Sequence, residues 1–182
     1  MKICIYGASS TKLDRIYYEK AEEFGRIMAV RGHGLVFGGG ATGLMGSCVY
    51  GVDGAGGHSI GIAPEFFNQP GVLYKNCTEF IFTRTMRERK QLMEDHAGAF
   101  VMLPGGIGTY EEFFEILTLK QLGQHSKPIA VYNISGYYDL LEKMLQHTVD
   151  QGFMSSECLE LYEVFDEPET LLDYLEKNMA AL

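Results

Sequence analysis

Short apolar runs alternate along this chain with longer stretches of helical periodicity, and that alternation restricts it to an α/β architecture. Lys2–Tyr6, Gly34–Phe37, His58–Ala63, Glu79–Thr83, Ala99–Leu103, Pro128–Tyr132 and Tyr162–Phe165 read as strands. Leu13–Arg31, Met86–Ala97, Thr109–Gly123 and Tyr137–Gln151 read as helices. So does a segment that leaves the Gly38–Gly43 turn and ends near Gly56 and Gly57, and another that starts near Pro168. Strands joined through helices return to the same end of a sheet and therefore run parallel. The expected fold is doubly wound and mainly parallel, with helices on both faces. No linker or repeat divides it, so one domain over residues 1–182 is expected.

Such sheets bind ligands beyond the carboxyl ends of their strands. Three of the predicted strands end there in unusual turns: Gly7-Ala8-Ser9-Ser10, Gly38-Gly39-Gly40-Ala41-Thr42-Gly43 and Gly105-Gly106-Ile107-Gly108-Thr109. All three should share one edge. The last turn opens directly into a helix, leaving backbone N–H groups free where the helix dipole favours an anion. Phosphate is the expected guest, and Glu112 follows within one turn. Ser9 and Ser10 either donate to that phosphate or cap the next helix.

Each motif also has a bland reading. Gly38, Gly40 and Gly43 fit G-x-G-x-x-G, a dinucleotide fingerprint, yet the acidic residue expected about twenty positions on is Glu65, badly placed after Pro64. Phosphate or ribose contact, or plain tight packing, suits these glycines better. Thr109-Tyr110-Glu111-Glu112 is a capping box if taken alone. Glu111 and Glu112 stand roughly 100° apart on a helix, so only one can face the ligand. Glu112 is the choice here. Met86, Arg89, Lys90 and Met93 follow helical spacing and share a face. Their cations either reach the ligand or snorkel to solvent. The aromatic pair Tyr137-Tyr138 reads as core or subunit interface, and the five histidines receive no role.

Composition removes other classes. A net charge of −9 disfavours a nucleic-acid partner. The four cysteines are scattered without paired spacing, which argues against a disulfide framework or a zinc site. No apolar run could span a bilayer, and a strand beginning at Lys2 leaves no room for a leader. A cytoplasmic location is expected.

Taken together, the motifs resemble the LOG family, the cytokinin-activating nucleoside 5′-monophosphate phosphoribohydrolases formerly described as lysine decarboxylases. Its P-G-G-x-G-T-x-x-E signature is matched by Pro104 to Glu112, its G-G-G-x-x-G-L-M-G by Gly38 to Gly46, and its M-x-x-R-K by Met86, Arg89 and Lys90. The resemblance runs to about Pro128. It departs at Tyr6-Gly7-Ala8-Ser9-Ser10, at Arg84 and at Tyr110, positions that bear on base preference and first-loop contacts.

The resemblance implies a Rossmann-like homodimer that hydrolyses the bond between a base and ribose 5-phosphate. The substrate would be a cytokinin riboside monophosphate, AMP or both. It makes Arg89 and Glu112 the catalytic pair. Substrate contacts would come from Ser9, Gly39, Gly40, Gly43, Met86, Lys90, Gly105, Gly106, Gly108 and Thr109. Neither a metal nor an organic cofactor is implied. The main rival is a non-catalytic nucleotide or cofactor carrier using the same glycine turns. A pyridoxal decarboxylase would need a Schiff-base lysine, for which Lys90 is the only inward candidate.

Overall fold

The computed structural model describes residues 1–179. In chain order the elements are β1 (Lys2–Tyr6), α1 (Arg15–Val30), β2 (Gly34–Phe37), α2 (Gly43–Gly54), β3 (Ser59–Pro64), β4 (Glu79–Thr83), α3 (Met86–His96), β5 (Ala99–Met102), α4 (Ile107–Gln121), β6 (Ile129–Tyr132), α5 (Asp139–Asp150), β7 (Glu163–Phe165) and α6 (Pro168–Met179). The strands form one sheet in the order β4-β3-β2-β1-β5-β6-β7, and every neighbouring pair is parallel. This is the doubly wound, Rossmann-like arrangement read from the alternation.

Side-chain alternation within the strands explains the two helical layers. Ile3, Ile5, Leu35, Phe37, Ala99, Val101, Ala130 and Tyr132 face one side, where Phe24 and Met28 of α1, Leu44 and Val52 of α2, and Leu171 and Leu175 of α6 cover them. Cys4, Tyr6, Val36, Phe100, Met102, Ile129 and Val131 face the other, against Met93 of α3, Phe113 and Ile116 of α4, and Leu141 and Leu145 of α5. With both faces covered, β2, β5 and β6 are apolar throughout, as buried parallel strands are, whereas the edge strands β4 and β7 begin with exposed Glu79 and Glu163. No described helix is long and apolar enough to cross a membrane.

Three helix starts differ from the sequence reading; α5 begins at Asp139 rather than Tyr137, so both tyrosines precede it. α1 begins at Arg15 because the preceding segment is tied otherwise: Tyr18 Oη accepts from the Leu13 amide (2.9 Å) and donates to the Ser10 carbonyl (3.1 Å). α4 begins at Ile107, two residues before Thr109, with Gly106 as its extended N-cap (φ −98°, ψ −154°). Thr109 therefore lies inside the first turn and forms no capping box.

The chain winds outward from β1 through β2 and β3 to β4, then returns to place β5 on the other side of β1. Connections leave β1 and β5 toward opposite faces, so a crevice opens between their carboxyl ends. That switch point is where this fold receives ligands.

Candidate active site

A cleft of about 660 Å³ occupies the crevice. Its floor and walls come from the three glycine-bearing turns, the start of α3 and the loop after β3. Ser9, Gly40, Met86, Gly106, Gly108, Thr109, Arg89 and Glu112 all line it. Gly39, Gly43, Gly105 and Lys90 do not.

The start of α4 is the open anion site. The amides of Gly106, Ile107, Gly108 and Thr109 have no acceptor among the described residues, and the first intrahelical bond there is Tyr110 N to Gly106 O (3.0 Å). A β-carbon at Gly106 or Gly108 would meet nothing within 4 Å. Neither packing nor a positive φ requires glycine at these positions, so what their bareness preserves is access to the backbone. Gly105 differs. A β-carbon there would collide with the Thr109 side chain, which is buried and holds the turn compact. Gly108→Ala should consequently raise folded stability by about 0.5–1 kcal/mol through reduced freedom of the unfolded chain. It should also weaken a ligand gripped by these amides. Thermal melts paired with an anion titration read both effects.

Opposite this turn lies a buried ion pair. Arg89 projects from the first turns of α3, is 6% exposed, and donates from Nε to the Ile62 carbonyl (3.2 Å) and from Nη1 to Glu112 Oε1 (2.7 Å). Glu112 reaches it from the second turn of α4. Burial raises the Glu112 carboxyl above its ordinary value of 4.5, and the Arg89 charge opposes that shift without cancelling it. The site thus presents a fixed cation, a carboxylate and a row of free amides around one cavity.

The second glycine turn is engaged differently from a phosphate cradle. Leu44 N donates to the Ala8 carbonyl (2.8 Å), Met45 N approaches the same oxygen (3.4 Å), and Thr42 Oγ1 donates to the Ser9 carbonyl (3.0 Å). The start of α2 is therefore capped by the first turn. Gly43, at φ +67°, packs against Ala8 and Ser9 where any β-carbon would clash. Gly39, at φ +75°, lies beside Phe80, 2.8 Å from the position of its would-be β-carbon. Gly38 lines the cleft, but a β-carbon there would overlap Arg89 Nη2. Its bareness makes room for the guanidinium.

Lys90 also sits elsewhere than the shared-face reading placed it. One residue on from Arg89 turns it about 100° around α3. There it pairs with Glu111 and with Glu115 (2.8 Å) on the outer side of α4.

The family model described as possible lysine decarboxylase matches residues 45–175. Cytokinin riboside 5′-monophosphate phosphoribohydrolase LOG2 of Arabidopsis thaliana is 36% identical over 176 residues, covering 97% of this chain and 83% of that relative. The chain belongs to the LOG family. A probable phosphoribohydrolase of the same kind, LOGL9 of Oryza sativa subsp. japonica, is also 36% identical, covering 97% of this chain and 78% of its own length. Among solved structures, the Moco carrier protein from Chlamydomonas reinhardtii superimposes with a TM-score of 0.75 at 23% identity, covering 100% of this chain and 98% of the carrier. That likeness concerns the fold.

Two features bordering this LOG-family site were not connected with it from the sequence. The first is the loop after β3, which contributes Phe67, Gly71, Val72 and Leu73 as an apolar wall. It is strapped to the second glycine turn by Ala41 N to Val72 O and Tyr74 N to Gly39 O, both 2.9 Å, and Tyr74 Oη donates to Asp53 Oδ2 (2.7 Å). The second is the aromatic pair after β6, read as core or interface. Tyr138 is fully buried and donates to the Leu103 carbonyl (2.7 Å), whereas Tyr137 is 40% exposed and donates to the Gly105 carbonyl (2.7 Å). The Gly136-Tyr137-Tyr138 run beside the last crossover is the only sequence signal for them.

Proposed function

We propose that this chain hydrolyses the N-glycosidic bond of a nucleoside 5′-monophosphate, releasing free base and ribose 5-phosphate. The substrate in this reading is a cytokinin riboside 5′-monophosphate, AMP or both. The observation that carries it is the Arg89–Glu112 pair, at 2.7 Å, facing the unpartnered amides of α4 across one cleft. The names of the curated relatives support the same reaction.

The chemistry follows from that geometry. The 5′-phosphate rests on the amides of Gly106 to Thr109, where the helix dipole favours it. This places the ribose beside Glu112. As the C1′–N bond breaks, its electron pair leaves with the base and positive charge builds on the sugar ring. A nearby carboxylate stabilises that charge; water then adds at C1′ and the proton it releases is balanced by the one the departing base nitrogen takes up, leaving neutral base and ribose 5-phosphate. Arg89 holds Glu112 ionised and oriented and lies against the nucleotide. It gives up no proton, since a guanidinium stays charged. Met45, Met86, Phe67, Val72 and Leu73 offer the base an apolar enclosure. Phosphate binding remote from C1′ supplies free energy for the reacting centre.

Burial of Glu112 gives this mechanism a pH signature. The anionic carboxylate is the active form, so kcat should fall as pH drops through a raised carboxyl value. The acid limb should therefore be centred above 4.5. Measuring kcat at saturating substrate separates it from the phosphate's own second ionisation near ~6, which acts through binding.

The decisive test is chromatographic. Purified protein is incubated with isopentenyladenosine monophosphate and, separately, with AMP, and free base and ribose 5-phosphate are quantified. Stoichiometric release supports the reading. Tight binding of both nucleotides without release favours a carrier instead. A pyridoxal decarboxylase is poorly served, because among the described residues no lysine lines the cleft and Lys90 is ion-paired outside it.

This reading also takes the functional unit to be one domain, assembled as a homodimer in the cytoplasm. Exposed Phe66, Phe67, Phe82, Met86 and Ile107 near the cleft favour an assembly. The free thiols of Cys4, Cys48, Cys77 and Cys158 suit a reducing compartment. Light scattering on the purified chain tests the assembly.

A further inference from the structure

We propose that Tyr137 is a positioning residue, whose hydroxyl locks the Gly105–Gly106 peptide so that the Gly106 amide is presented to the 5′-phosphate. The proposal deepens the hydrolase reading and rests on it for the identity of the anion. Tyr137 Oη donates to the Gly105 carbonyl at 2.7 Å. All described peptides are trans, and in a trans peptide the carbonyl and the following N–H point in opposite directions. Holding the Gly105 oxygen therefore aims the Gly106 hydrogen the other way.

The surroundings agree. Gly106 lines both the main cleft and a smaller apolar cavity of about 260 Å³, and Tyr137 lines only the second. The peptide stands as a partition between the two, with its carbonyl toward the tyrosine and its amide toward the cleft. No acceptor among the described residues engages that amide. Glycines flank the peptide, so no β-carbon resists its rotation. A flipped peptide would turn a carbonyl oxygen toward the phosphate.

Tyr137 is itself held. Its ring meets those of Tyr17 and Tyr138 edge-on, at centroid distances of 6.1 and 4.9 Å. The turn before it carries left-handed Ser135 (φ 56°) and Gly136 (φ 71°), and Asn133 Oδ1 closes it by accepting from the Tyr138 amide (2.6 Å). Its neighbour provides an internal control. Tyr138 bonds the Leu103 carbonyl, but the nitrogen across that peptide belongs to Pro104 and carries no hydrogen.

The test compares wild type, Tyr137→Phe and Tyr138→Phe by calorimetric titration with ribose 5-phosphate and with unphosphorylated isopentenyladenosine, alongside steady-state kinetics. Tyr137→Phe should weaken ribose 5-phosphate about tenfold, the scale of one hydrogen bond to a charged group. It should raise KM by the same factor, keep kcat within about twofold and leave the nucleoside unaffected. Tyr138→Phe should lower the melting temperature and leave ribose 5-phosphate binding as in wild type. Equal ribose 5-phosphate affinity in wild type and Tyr137→Phe overturns the proposal. So does equal weakening in both variants, parallel loss of nucleoside and sugar phosphate, or failure of wild type to bind ribose 5-phosphate. If wild type binds the sugar phosphate but releases no base, the hydrolase reading fails and the affinity ratio still decides the place of Tyr137.

Discussion

Glu112→Gln is expected to lower kcat about a thousandfold while nucleotide binding survives. The substitution keeps the shape and one acceptor oxygen of the side chain, so Arg89 Nη1 retains a partner at the 2.7 Å contact. What disappears is the negative charge, whose stabilisation of an electron-poor sugar ring grows as the bond breaks. Loss of one such preorganised electrostatic group costs about 10²–10³ in kcat. Some stability goes too, on the order of 3 kcal/mol, because the buried guanidinium loses its counter-charge. Rates of base release, set beside a binding titration and a thermal melt, separate the two losses. Full turnover with weakened binding would remove Glu112 from the chemistry.

Gly38→Ala should be nearly as damaging, for a reason unrelated to phosphate. The added methyl claims the space of Arg89 Nη2. Arg89 must then leave both the Ile62 carbonyl and Glu112, and its side chain has little room elsewhere, being 7% exposed. We expect kcat to drop about a hundredfold. The displaced pair should also lower folded stability by about 3 kcal/mol. The kinetic pattern discriminates between explanations. Disrupted Arg89 lowers kcat, whereas a glycine that merely admitted phosphate would raise KM and leave kcat intact.

The fold was legible because its signals come from side chains. Buried parallel strands read as apolar runs, and helices with one covered face show their period, as Phe24 and Met28 of α1 do. The site was legible where a charged residue declares its direction: Arg89 and Glu112 meet across the cleft. Backbone arrangements escaped. Gly106 caps α4 through its own conformation, which left Thr109 looking like the cap. The amides at the start of α2 are spent on the Ala8 carbonyl, a contact between segments far apart in sequence. Lys90 was misplaced for a simpler reason. An i, i+3, i+4 stripe is wide enough to lie on two sides of a neighbouring helix, and Glu111 and Glu115 took the second cation.

The strap between the loop after β3 and the second turn has an evolutionary consequence. It pairs Gly40 with Leu73 and joins Ala41 to Val72 and Gly39 to Tyr74 through main-chain atoms, with a single side-chain bond, Tyr74 Oη to Asp53, beside them. Apart from Gly39 and Tyr74, residues along that ribbon can change without loosening its attachment, and none of them belongs to the Arg89–Glu112 couple. In the proposed reading, much of the selectivity for the guest is thus written on a different stretch of polypeptide from the reacting pair. Descendants of this scaffold could change which ring system they accept while inheriting the bond-breaking apparatus intact.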